Sequence, residues 1–155
     1  MTSTLTAELL LAFATEVSCP PLMSLRGGDA LDDYGAAMPF DSQLDRICDE
    51  YLEAFHWGLG YLDAGSWRHY LPLLFQYAFS RIEQGSVVTS ALLHSLSPPD
   101  RLPPRLGSLS YAQEAVVRQA LEHLAFAEGA AHSEQACQVL EAWWLPNALY
   151  RPVAQ

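Results

Sequence analysis

Four carboxylates recur at every fourth position in the first third of the chain, as Asp41-x3-Asp45-x3-Asp49-x3-Glu53. On a helix this spacing stacks them along one edge, each facing the next across a turn. Like charges so placed oppose one another by about 0.2–0.5 kcal/mol per pair, so local stability does not account for the row. Asp41 and Asp45 gain from the positive N-terminal end of such a helix, and Arg46 can pair with Glu50 at the same spacing. Asp49 and Glu53 receive no intrahelical benefit.

A row of this kind has three uses. It can be a solvated face that keeps an acidic protein soluble. It can be a ridge that meets the cationic groups of a basic protein partner. With Asp29, Asp32 and Asp33 from the segment before it, it can supply the converging oxygens that a hard divalent cation needs. Di-metal sites in helical bundles take a Glu-x-x-His motif from each of two facing helices. This chain does not contain such a pair of motifs. The expected role of Asp29, Asp32, Asp33, Asp41, Asp45, Asp49, Glu50 and Glu53 is therefore partner binding, with no metal and no cofactor. A metal-dependent enzyme built on the same carboxylates is the alternative.

Other reactive residue types are scattered. His56, His69, His94, His123 and His132 form no HxxxH or HxH pair, and Cys19, Cys48 and Cys137 show no CxxC spacing. Zinc is unsupported on that pattern, and packed histidines and reduced thiols, with Cys48 buried, are expected. No GxSxG, Walker or GxGxxG motif occurs, so no catalytic residue is assigned. Arg68, Arg101, Arg105 and Arg118 could form an anion site around the Pro-rich stretch at 97–107, or simply pair with nearby acids. Trp143 and Trp144 are adjacent and are not expected to face inward together. One should lie at the surface or under the C-terminal tail, where it could serve a homo-oligomeric structural protein as its contact.

The elements that must position these residues read as helices. Leu5, Leu9, Phe13 and Val17 predict one helix over residues 4–17. Cys19-Pro20-Pro21 stops it. Residues 18–40, with Gly27 and Gly28 adjacent, read as a long loop. A second helix is expected from Asp41 or Ser42 to Phe55, with Leu44, Ile47, Cys48, Tyr51, Leu52 and Phe55 on its apolar face. A third, apolar on most sides, is expected over 66–84. Pro72 either opens its main part or bends it. Helices near 86–97, 110–129 and 133–144 follow, the first of these before a stretch with four prolines. Ser110-x-x-Gln113 forms a capping box at the start of the fifth. The expectation is an all-α, single-domain bundle of about six helices over residues 1–155, with two long Pro/Gly-rich loops.

Composition narrows the function classes. The chain has 155 residues, half of them hydrophobic, with 4 Trp, 7 Tyr and 6 Phe, which argues against disorder. It carries 18 acids against 8 arginines and no lysine, for a net charge of −10. Residues 1–65 hold 11 of the acids and only Arg26 and Arg46. Nucleic acid and anionic membrane surfaces are disfavoured as partners, since both need cations. No apolar run approaches the length of roughly 18 residues that a membrane span requires. The first apolar run contains Glu8 and Glu16 and has no basic flank, which is not a signal peptide, so a cytoplasmic location is expected.

The middle of the chain carries a resemblance. Trp67-x-x-Tyr70-Leu71-Pro72, then Leu96-Ser97-Pro98, then Leu109-Ser110-x-x-Gln113-x3-Val117-x3-Leu121-x-x-Leu124 resembles a bacterial all-helical domain family of unknown function, over about residues 55–125. The resemblance implies a small helical protein and brings no catalytic residues. Similar small proteins occur beside secreted or contact-delivered toxins. Together with the acidic N-terminal half, this makes an immunity-type inhibitor of a basic toxin domain the expected function.

Overall fold

A computed structural model describes residues 2–36 and 38–152. Eight α-helices make up the described residues, and no strand is present among them: α1 (Thr2–Ala12), α2 (Ala14–Ser18), α3 (Leu25–Tyr34), α4 (Asp49–Phe55), α5 (Ala64–Ser80), α6 (Val87–Ser95), α7 (Tyr111–Phe126) and α8 (Ser133–Val139). A 3-10 segment, His56–Tyr61, links α4 to α5, and a π turn, Leu140–Trp144, extends α8. The all-α expectation holds. Two helices beyond the expected six arise because the first expected helix breaks at Phe13 and the expected loop contains α3.

The core is built around α5, whose Trp67, Tyr70, Leu71, Leu74 and Phe75 are all buried. The helix runs unbroken through Pro72. Pro72 has no N–H for the Arg68 carbonyl, and its ring is buried, so tertiary packing on several sides offsets the lost bond. Asp63 caps α5 by accepting from the Ser66 amide at 3.1 Å, and Ser86 caps α6. The capping box at Ser110 and Gln113 forms as expected. Gln113 also donates from Nε2 to the Ala12 carbonyl at 3.1 Å, tying α7 to the end of α1.

Both tryptophans near the C-terminus are buried. The π turn widens the backbone there, and the tail folds back, with Leu149 and Tyr150 donating to the Glu141 and Ala142 carbonyls. Trp144 reaches the core and donates to the Leu96 carbonyl at 3.0 Å, while Arg151 covers Trp143 at 5.3 Å. Their indoles are spent within the chain, which leaves the Trp143–Trp144 contact for self-association without its anchor.

Two further expectations are corrected. The stretch around Gly27 and Gly28 is helix, not loop. Ser24, fully buried, caps α3 by accepting from the Gly27 amide at 2.9 Å. The glycines serve close approach: a Cβ on Gly28 would lie 2.4 Å from the Gly58 carbonyl oxygen, and one on Gly58 only 2.0 Å from that of Leu25. Helix α3 thus lies backbone to backbone on the 3-10 segment. The helix expected over 41–55 begins only at Asp49; residues 42–45 form a turn and Cys48 is extended. Leu44 and Cys48 are exposed, so the expected apolar face is not continuous.

The close contact sets the sign of a substitution. Gly→Ala inside a helix ordinarily gains about 0.5–1 kcal/mol. Gly28→Ala should instead cost about 1–3 kcal/mol in urea unfolding, because backbone must move to admit the methyl. Gly85→Ala, with nothing within 4 Å of the added carbon, should be neutral or slightly stabilising. A stabilised Gly28→Ala would show that α3 does not press on Gly58.

Candidate functional site

Asp45 is 5% exposed and forms the centre of a clasp. Arg26, from α3, grips it with both ends of its fork, Nε to Oδ1 at 3.0 Å and Nη2 to Oδ2 at 3.1 Å. The Tyr51 hydroxyl donates to Oδ1 and the Asp41 amide to Oδ2, each at 2.8 Å. Behind this layer the Tyr51 hydroxyl accepts from the Arg26 amide at 3.2 Å, and the Tyr70 hydroxyl from the Leu25 amide at 3.3 Å. Burial pushes the Asp45 carboxyl up. Arg26, the Asp41 amide, Tyr51 and Ser24 together outweigh it, and the group titrates below the usual aspartate range.

The expected carboxylate ridge does not exist. Asp45 is turned inward by Arg26. Asp41 folds its own carboxylate onto the Gln43 and Leu44 amides at 2.8 and 3.0 Å. Asp49 accepts from Arg81 at 2.9 Å. Glu53 accepts from the Tyr77 hydroxyl at 2.9 Å and lies 3.8 Å from the same Arg81, which sits over the Tyr77 ring. Glu50 is exposed and makes no ion pair among the described residues. Of the eight acids assigned to partner binding, Asp41, Asp45, Asp49 and Glu53 are thus committed to the fold.

Asp29, Asp32 and Asp33 remain together on α3, beside the 3-10 segment. Asp29 is half-buried. Burial, then the charges of Asp33 and Asp32, hold its carboxyl above the ordinary value, with only His56 pulling the other way. Asp32 accepts from the Tyr61 hydroxyl. Asp33 is exposed and has no ion pair among the described residues. Next to Gly58, Trp57 is 67% exposed and its ring lies 4.8 Å from that of His56. His56 is held by donating from Nδ1 to the Glu53 carbonyl at 2.9 Å. Tyr34 at the end of α3 and Tyr61 are exposed as well. The result is a face of acids and exposed aromatics with no arginine paired to its acids. Sequence reasoning found the three acids but not Trp57 or Tyr61; the available signal was Gly58 beside Trp57, which reads as a turn in the sequence and is a close backbone approach in the fold.

Among the described residues, no three His, Cys, Asp or Glu side chains converge to hold a metal ion. One Glu-x-x-His spacing is present, Glu53 to His56. Its carboxylate and imidazole go to different partners, as described above. His69 and His132 are packed with single backbone contacts, His69 Nδ1 donating to the Glu16 carbonyl at 2.8 Å and His132 Nε2 accepting from the Ser86 amide at 3.0 Å. Arg68 donates to Ser108 at 2.7 Å and lies 3.5 Å from Glu16, and Arg118 lies 4.0 Å from Glu122. Neither joins Arg101 and Arg105 in one site. No helix is long and apolar enough to cross a membrane among the described residues.

The chain belongs to the family of unknown function DUF6714, whose profile matches residues 1–148. That span takes in the acidic N-terminal third as well as the central segment that carries the resemblance. No curated protein and no solved structure matches the chain.

The clasp gives a pH dependence of defined sign. Asp45 has a depressed pKa in the folded state, so its stabilisation is complete above the unfolded-state value of about 3.9 and is lost as the pH falls through the folded value. At pH 7, Asp45→Asn should cost about 3–5 kcal/mol, since it leaves Arg26 with an unmatched buried charge. Below the folded-state value the wild type loses the same interaction, and the gap between the two unfolding free energies should shrink by more than half. A gap that stays constant with pH would contradict the clasp.

Proposed function

We propose that this chain is a protein-binding module that captures a basic partner through the face formed by α3 and the 3-10 segment. Its most concrete form is an inhibitor that neutralises a basic toxin domain. The observation that carries the reading is the state of Asp29, Asp32 and Asp33. Their mutual repulsion is unrelieved by any arginine, whereas Asp45, Asp49 and Glu53 each have one. An ammonium or guanidinium group from a partner would relieve that repulsion and draw the Asp29 carboxyl back down toward its ordinary value.

Trp57 supplies what charge alone cannot. An exposed indole beside charged groups is the kind of anchor that carries binding energy when a partner covers it, often about 2 kcal/mol or more on truncation. The net charge of −10 would speed encounter with a cationic surface and orient it. Charge would then set the rate and register of docking, and Trp57 the residence time.

The test is co-purification with the product of the neighbouring gene, at about 0.05 M and about 0.5 M salt. A complex should form at low salt and weaken at high salt. Trp57→Ala should weaken it by roughly thirtyfold. Asp33→Lys should weaken it as well, and Asp49→Asn should leave it unchanged. No complex at low salt, or one that responds to Asp49→Asn and ignores Asp33→Lys, contradicts the proposal.

A further inference from the structure

A cavity of about 620 Å³ opens on the far side of Trp57, between the 3-10 segment, α6, the Pro-rich loop and Gln135 of α8. Its walls include Leu59, Val87, Ala91, Pro98 and Leu106. The loop that closes it is shaped by Asp100, whose carboxylate accepts from the amides of Arg101, Arg105, Leu106 and Gly107, each at 2.8 Å. That charge is spent on the backbone. Asp100 is not ion-paired with either arginine of the loop.

Arg105 lines this cavity and is 3% exposed. Its guanidinium makes one hydrogen bond, Nη2 to the Leu59 carbonyl at 2.8 Å, and lies over the Trp67 ring at 5.3 Å. Nε is enclosed and has no partner. No carboxylate of the described residues lies within ion-pair distance of it. Burial, with the nearby charge of Arg101, lowers its pKa to about 10, which still leaves it a cation at neutral pH. Leaving a buried donor unmatched costs about 1–3 kcal/mol, and more when the group is charged. Among the described residues the other buried ion, Asp45, is matched by Arg26. Arg105 is a buried charge with no carboxylate in ion-pair contact, Asp100 and Asp63 acting on it only from a distance.

We propose that this cavity binds a small organic carboxylate with an apolar body, the carboxylate meeting the Arg105 guanidinium and the body lying along Leu59, Val87 and Ala91. The planar fork of arginine matches a carboxylate. The lining carries Arg101 and Arg105 against the one carboxylate of Asp100, a net charge of +1 with its histidines neutral, which favours a monoanionic carboxylate over a phosphate dianion. The volume suits a small ligand, within the roughly 300–1,000 Å³ usual for such sites. The cavity shares Trp57 with the α3 face, but Arg105 lies outside that face and Asp33 outside the cavity, so Arg105→Gln and Asp33→Lys test the two readings separately.

Intrinsic fluorescence from Trp57 and Trp67 and the shift of the melting temperature provide two readouts. The probes are octanoate, octanol and octyl phosphate, added to the full chain. Octanoate should bind saturably, raise the melting temperature, and bind at least tenfold more tightly than octanol or octyl phosphate. Arg105→Gln should abolish the preference for octanoate over octanol. In case that variant does not fold, proton–nitrogen spectra of the wild-type arginine side chains give a second reading. The Nε–H signal of Arg105, assigned through Arg105→Lys, should move on addition of octanoate and stay still with octanol. Absence of saturable octanoate binding, equal binding of octanol, tighter binding of octyl phosphate, or an unmoved Arg105 signal would each overturn the proposal.

Discussion

The bidentate contact between Arg26 and Asp45 is the constraint on which the N-terminal half depends. Burying two charges carries a large desolvation cost, and attraction offsets it only when geometry is good and the remaining lone pairs are used. Here both conditions hold. Both carboxylate oxygens are bound twice, and the tyrosine hydroxyls behind them tie α4 and α5 to the first turn of α3. Arg26 also donates to the Pro39 carbonyl at 3.0 Å, so the connection between α3 and α4 is held at both its ends. One helical turn does start at Asp41, whose carbonyl accepts from the Asp45 amide at 2.8 Å, but it does not continue: residues 46–48 are irregular and Cys48 is extended.

The same contact divides the acids of the protein into two groups. Asp45 goes to Arg26, and Asp49 and Glu53 go to Arg81 on the neighbouring helix end. The second of these pairings is largely exposed and contributes little to stability. It still occupies the charges and points them across the fold, not toward a partner. What stays open of the eight acids is Glu50 and the α3 trio, the trio held beside Trp57 by the backbone contact of Gly28 with Gly58. The net charge of the chain therefore overstates how much acidic surface is available, and the position of the arginines decides where it lies.

Much of the fold was legible in the residues. The apolar α5, the capping box at Ser110 and the helical class all follow from periodicity and local hydrogen-bond chemistry. The misreadings share one cause, which is that a distant part of the chain overrides a local rule. Gly27-Gly28 looks like a turn until Gly58 is brought against it. The i, i+4 carboxylates look like a helix edge until Arg26, far back in the chain, claims one of them. Trp143 and Trp144 look unable to share an interior until a π turn and the returning tail enclose both. Arg105 was visible as one of several arginines near a Pro-rich stretch. Its lack of a counterion was not visible, because it depends on how Asp100 spends its charge.

The central claim is that Asp45 and Arg26 are energetically one unit inside the fold. A double-mutant cycle with Arg26→Gln and Asp45→Asn, read by urea unfolding at pH 7, measures this directly. The account predicts that the double variant is less destabilised than the sum of the single ones, with a coupling energy of at least about 2 kcal/mol. Additive losses, with coupling below about 0.5 kcal/mol, would mean that the two side chains act separately and that Asp45 is free to face solvent.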